Sequence, residues 1–266
     1  MRERLRIPRP GRRERGRIAL RATLLQSVWN FETLQGVGFA WSLLPGLRAL
    51  YPDRAERARR LESYLEVFNS NPYLATLGLG VALRIEAEVA RGAAGAERRV
   101  SRLLRALRGS LGAIGDELFW AGWRPALGVS AAVVALGTRS VWPAVVFLVG
   151  FNVLAQGVRV AGVRAGYASG AGIARVLQDP FWRRATRVAR LVGAAGAGAA
   201  AGAGVVWALL GGDGAGVAVF FLLVVLLGLV GLRVETRYRL PAPSLALLAA
   251  LILLSALFSA SKGALP

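Results

Sequence analysis

The chain has 266 residues, 55% of them hydrophobic, a mean hydropathy of +0.49, and 34 basic against 15 acidic residues for a formal charge of +19. A soluble single-core domain is not normally this apolar and this basic together; high hydropathy with clustered arginine is the pattern of a multi-span membrane protein. The absence of Cys excludes disulfides, thiolate metal sites and Cys nucleophiles, and the absence of His excludes a Ser-His-Asp triad, a His metal centre and a phosphohistidine.

In chain order, residues 1–21 hold nine Arg and two Glu, a net +7, with Pro8, Pro10 and Gly11 and no apolar run behind them. They read as a basic cytoplasmic tail, either solvated or held against anionic headgroups, and not as a signal peptide. Residues 22–69 read as amphipathic, interfacial helices broken at Pro45 and Pro52. Leu24, Val28, Phe31, Leu34 and Gln35 recur at three-to-four spacing in the first, and Asp53, Glu56, Arg57, Arg60 and Glu62 alternate charge in the second.

Residues 70–185 form the predicted membrane core. Two short Gly-interrupted apolar segments open it, residues 71–83 and 109–123, the second with Asp116 and Glu117 in its middle. Runs of about 10–14 apolar residues are too short to span and read as re-entrant or buried. Paired segments of this kind are the best pointer in a sequence to a transporter's binding site. Apolar runs at 126–138 and 141–157 follow, split by Arg139 and Ser140, and 158–184 is mixed with five Arg.

Residues 186–266 carry three long uncharged runs, 191–212, 214–232 and 240–261. At a rise of about 1.5 Å per residue each reaches about 30 Å, enough to span. The Ala/Gly tract from Gly193 to Gly204 offers a small-residue packing face or reflects composition alone. Arginines at 183–190 and 233–239 place those loops in the cytoplasm, with Asp213 and the C-terminus outside. The expected fold is therefore all-α and polytopic, with amphipathic N-terminal helices, two re-entrant Gly-rich segments and several C-terminal transmembrane helices. A nucleic-acid surface is not expected, since the arginines flank spans and do not form a basic face interleaved with aromatics.

Three segments, LLQSVWNFETLQGVGFAWSLLPGLRALYP (24–52), YLEVFNSNPYLATLGLGVAL (64–83) and GSLGAIGDELFWAGWRP (109–125), resemble in order and spacing the IID component of the mannose/fructose/sorbose family of the bacterial phosphotransferase system, and FNVLAQGVRVAGVRAGYASG (151–170) continues the similarity. The resemblance covers roughly residues 20–180. It implies a subunit of the bacterial inner membrane that joins a IIC subunit, in trimers of IIC–IID units, to carry a hexose-type sugar inward. Separate IIA and IIB subunits hold the phosphoryl groups, so this chain needs no cofactor and is not by itself an enzyme. Departures from the family pattern at Ser110, Glu117, Arg84 and Asn71 keep open a divergent member that acts as a non-transporting scaffold or sensor.

The candidate site residues follow the three segments. Asn69, in the family's FN motif, offers sugar hydroxyls one acceptor and two donors or caps the helix after Pro72, and Asn71 has a weaker claim to the same roles. Asp116, beside a possible hinge at Gly115, accepts sugar hydroxyls or pairs with Arg124 if the segment before Pro125 folds as a hairpin. Trp29, Asn30 and Glu32 form a compact WNFE cluster that stacks on sugar or anchors the chain at an interface or on IIC.

Overall fold

A computed structural model describes residues 10–211. The chain divides into two compact units, residues 1–195 and 196–266, and the buried hydrophobic core among the described residues lies within the first. Apart from isolated bridges joining Leu34 to Asn30 and to Phe68, regular structure among the described residues is helical.

The N-terminal part is built from three helices, α1 (Arg12–Arg21), α2 (Gly36–Leu50) and α3 (Arg54–Glu62). Helix α1 starts where the Glu14 carboxylate accepts the Gly11 N–H at 2.7 Å, and it buries Ile18 and Ala19. Asp53 caps α3 by accepting the Glu56 N–H at 2.6 Å. The break expected at Pro45 does not occur, since α2 runs through it. Proline has no N–H for the carbonyl four residues back, that of Trp41, and Arg21 Nη1 donates to that carbonyl at 3.0 Å. A side chain from α1 thus supplies the bond that Pro45 removes.

Helix α4 (Ala75–Val89) is the centre of the unit. Twelve of its 15 residues are buried, on all sides, as its Ala/Leu/Gly sequence demands. It crosses α7 (Trp142–Ser169) at close range. A β-carbon on Gly166 would overlap the Leu77 carbonyl, one on Gly162 the Thr76 hydroxyl, and one on Gly80 the Val163 carbonyl. Only glycine at these three positions lets the backbones approach so closely. Helix α5 (Ala96–Gly115) packs on α4 through Val100, Leu104, Leu107 and Leu111, spaced by three or four, and exposes Arg98, Arg99, Arg102 and Arg105.

Neither short Gly-rich segment interrupts its helix. Residues 71–83 lead into α4, which continues through Arg84 and Glu86. The second segment also continues: α5 passes into a π-helical stretch (Asp116–Trp123) and then into α6 (Arg124–Thr138). The Arg124 N–H reaches back five residues to the Phe119 carbonyl, a register that widens the helix just before Pro125. The hairpin that would have joined Asp116 to Arg124 is therefore absent. The chain reverses later, where Arg139 takes a left-handed φ of 50° between α6 and α7. These two helices, which take in the apolar runs 126–138 and 141–157, form a helical hairpin.

From Trp142 to Leu177 the chain is long and apolar enough to cross a membrane. Its first half exposes Val145, Val146, Leu148, Val149 and Val153, whereas Val163 and Gly166 in the second are buried against α4. After α8 (Ile173–Leu177), α9 (Pro180–Gly211) takes in nearly all of the predicted 191–212 run. The runs 214–232 and 240–261, the 233–239 loop and Asp213 lie outside the described residues.

Candidate functional site

The Asn69–Tyr73 turn, between α3 and α4, carries the polar residues that the sequence singles out. Gln35, buried at the start of α2, holds the turn from below. Its Nε2 donates to the Ser70 carbonyl at 2.8 Å and its Oε1 accepts the Ser70 N–H at 3.1 Å. Phe68 adds two backbone bonds, to Thr33 and from Gln35. The turn is thus fixed on both sides of Asn69, whose own side chain is exposed and makes no hydrogen bond among the described residues.

The cap before α4 belongs to Asn71, not Asn69. Asn71 Oδ1 accepts the N–H groups of Tyr73 at 3.1 Å and Leu74 at 3.4 Å, and its Nδ2 donates to Asp116 Oδ1 at 2.9 Å. This amide is buried against Gly115, where any β-carbon would overlap it. Gly115 is thus required for close approach, and the helix continues through it into the π-helical stretch. Asp116 is exposed and the Asn71 amide is its one side-chain partner among the described residues, which leaves most of its lone pairs free. Arg124 lies instead over the Trp120 ring at 5.2 Å, and Glu117 pairs with Arg190 of α9 at 2.5 Å.

Tyr73 connects this polar turn to an aromatic cluster, 4.6 Å from Phe119, 5.6 Å from Trp120 and 6.0 Å from Phe151 between ring centres. Arg159 of α7 lies over the Tyr73 ring at 4.8 Å. Two buried side-chain polar atoms among the described residues have no partner, Ser70 Oγ and Arg159 Nε. Both adjoin this turn. Unsatisfied buried polar atoms are uncommon and costly, and these two lie close to Asn69 and Asp116. The sequence alone points to neither atom, because their surroundings come from segments 35 to 90 residues away.

Trp29, Asn30 and Glu32 do not join this cluster. Asn30 turns inward on its own loop, accepting the N–H groups of Glu32 at 3.0 Å and Thr33 at 2.8 Å. Glu32 is exposed, and Trp29 packs edge-on against Phe31 at 4.9 Å.

A second polar cluster, not foreseen from the sequence, closes the other end of α4. The fully buried Glu86 carboxylate accepts from Tyr51 and Tyr64 hydroxyls, each at 2.6 Å, and from Arg60 Nε at 3.0 Å and Nη2 at 2.6 Å. Arg60 also pairs with Glu97. Burial, then the Glu86 hydrogen bond and charge, push the Tyr51 hydroxyl far above its ordinary value, and Tyr64 is raised by burial and the Glu86 charge. Burial alone would lower Arg60, but the bonds and charge of Glu86 outweigh it and raise the guanidinium. Both hydroxyls and all three guanidinium nitrogens of Arg60 have a partner, so this cluster fastens α3 to α4.

Residues 11–208 match the family model for the IID component of the mannose/fructose/sorbose phosphotransferase systems. The mannose-specific EIID component of Escherichia coli K12 is 33% identical over 177 residues, 66% of this chain and 62% of that protein. The fructose permease IID component of Bacillus subtilis is 29% identical over 174 residues, 65% of this chain and 63% of that one. The match thus spans a little over three fifths of the length of these curated relatives. Among solved structures, a chain of the mannose transporter ManYZ in complex with microcin E492 superposes with a TM-score of 0.58 at 31% identity, covering 72% of this chain and 70% of that one.

Proposed function

Because the chain belongs to the mannose/fructose/sorbose family of phosphotransferase-system IID components, and so to a family of membrane subunits that are not themselves phosphoryl carriers, we propose that it forms with a IIC subunit the translocation unit for phosphorylation-coupled import of a hexose-type sugar. The observation that carries this reading is the incomplete polar turn at residues 69–73. There the exposed Asn69 amide, the free lone pairs of Asp116, the Ser70 hydroxyl and the Arg159 Nε lie on or against one fixed scaffold. Amides, carboxylates and guanidinium donors suit sugar hydroxyls, and a site short of partners in one chain suits a pocket finished by a second. Asn71 and Gly115 support that site from beneath, with Pro72 ahead of α4 and Pro125 in the first turn of α6. Trp29, Asn30 and Glu32 lie outside it.

Helix α4, at 15 residues, is too short to cross, and in this reading it enters the membrane beside the α6–α7 hairpin without spanning it. The N-terminus and the α1–α3 region face the cytoplasm, the C-terminus faces the exterior, and three IIC–IID units form the assembly. IIB, charged by IIA, phosphorylates the sugar on the inner side, and the charged product cannot return.

The test is co-purification with the IIC product of a neighbouring gene, followed by binding of labelled mannose, fructose and sorbose. Binding by the pair but not by this chain alone, lost in Asn69→Ala and Asp116→Asn pairs that still assemble, is expected. A wild-type pair that assembles and neither binds nor imports any sugar of a broad panel would refute transport and favour a scaffold.

A further inference from the structure

One exposed edge of the N-terminal region changes chemistry in a regular order. Residues 13, 17, 20 and 24 share one face of α1 and the 3₁₀ turn that extends it, opposite the buried Ile18, Ala22 and Leu25. Along that face come Arg13 and Arg17, both exposed, then Leu20 at 70% exposure and Leu24. The loop beyond adds Val28, Trp29 and Phe31, the last 90% exposed.

The loop is rigid. Asn30 accepts from Glu32 and Thr33, Asn30 and Leu34 exchange backbone bonds at 2.9 and 3.3 Å, and Thr33 and Gln35 bond to Phe68. Leu34 adopts a left-handed φ of 56° to close the turn. An aromatic pair fixed outward by that many bonds gains nothing from burial within the chain, and exposed apolar surface of this kind marks a contact. The flank is cationic. Arg21 is lowered by burial and then by the positive charges of Arg48 and Arg17, and it stacks at 4.6 Å on Trp41, itself 39% exposed.

We infer that this edge is a wedge into an anionic lipid leaflet, with Phe31 and Trp29 in the acyl boundary and Arg13 and Arg17 on lipid phosphates. A bilayer stacks its phosphate and hydrocarbon zones over about 5–10 Å, and the helix rise from Arg17 to Leu24 is about 10 Å, so each residue type meets the zone that suits it. Glu32, exposed on the same loop, stays at headgroup depth. The inference rests on the chain's membrane location and not on the sugar reading, and its test does not involve sugar.

The absence of Cys makes the test direct. Phe31→Cys, and Ala94→Cys in the exposed turn between α4 and α5 as an aqueous reference, are labelled with an environment-sensitive fluorophore. The full-length protein is reconstituted with its IIC partner into vesicles of phosphatidylethanolamine and phosphatidylglycerol. Doxyl-labelled lipids should quench the label at 31 about threefold more than the label at 94, and iodide should do the reverse. Quenching at 31 by iodide but not by lipid overturns the wedge, as does protection from both, which would mean a protein contact. An Arg13→Gln/Arg17→Gln variant should lose the excess lipid quenching seen with phosphatidylglycerol over phosphatidylcholine vesicles; an unchanged excess overturns the phosphate contact.

Discussion

Replacing Asn71 by Ala separates support from sugar contact, because its side chain has three separate bonds to lose. Two are the Tyr73 and Leu74 N–H groups that it accepts at the entrance to α4, a capping loss of about 1 kcal/mol. The third is the donation to the Asp116 carboxylate, and a hydrogen bond to a charged group contributes about 1.5–3 kcal/mol. Together they predict a loss of about 2.5–4 kcal/mol, read as a lowered unfolding midpoint of the IIC–IID pair in detergent. Asn69→Ala is the control. Its side chain is exposed and without intramolecular bonds among the described residues, so stability should change by less than about 0.5 kcal/mol while sugar uptake at limiting concentration falls. An Asn71→Ala pair of normal stability that has lost sugar binding would refute the assignment and make Asn71 a ligand; an Asn69→Ala pair with normal uptake would remove Asn69 from the site.

Two further outcomes are expected. Both the Tyr51 and Tyr64 hydroxyls hold their protons in the folded chain beyond their ordinary value of 10.0, so the folded state binds more protons above that pH. Their stabilisation is complete below about pH 10 and is lost as pH rises, by about 1.4 kcal/mol per unit per tyrosine. Melting of the pair between pH 9 and 11.5 checks this, and a Tyr51→Phe/Tyr64→Phe variant with an undiminished alkaline slope would disprove it. Gly166→Ala sets a methyl against the Leu77 carbonyl and should cost about 1–3 kcal/mol by overpacking; an unchanged melting temperature would mean that α4 and α7 separate without penalty.

What the sequence made legible was local or periodic. The helical character of the chain, the alternating charges of α3 and the long apolar run from 191, which α9 takes up as far as Gly211, each depend on neighbours within one or two turns, and the structure has all of them. The misreadings arose where a distant residue decides the outcome. Pro45 looks like a break until Arg21 supplies a donor to the Trp41 carbonyl 20 residues along. Gly115-Asp116 looks like a hinge because Gly usually marks one, yet here it admits the Asn71 side chain from 45 residues away. Glu86 lies just beyond the 71–83 segment, and only the fold brings Tyr51, Arg60 and Tyr64 around it. For the candidate site, Asn69 and Asp116 were visible as polar residues in apolar segments, whereas Ser70 and Arg159 become conspicuous only through the partners they lack.

The two polar clusters lie at opposite ends of α4, and their difference bears on how the chain works. From Ala75 to Glu86 the helix rises about 16 Å, with the exposed Asp116 held at one end through Asn71 and the closed Glu86 cluster at the other. At the Glu86 end both hydroxyls and every guanidinium nitrogen have a partner, so α3 and α4 are fastened as one body. At the Asn71 end polar atoms remain without partners. Along its length α4 meets α7 backbone to backbone at Gly80, Gly162 and Gly166, a contact with no slack for sliding, since packed interiors transmit displacement and do not absorb it. A motion that carried the polar turn between two faces of the membrane would therefore have to carry α3, α4 and α7 with it, and the strain would fall on helices outside that body. The π-helical stretch from Asp116 to Trp123 is the natural place for it, because its wider register interrupts regular i→i−4 bonding directly beside the site.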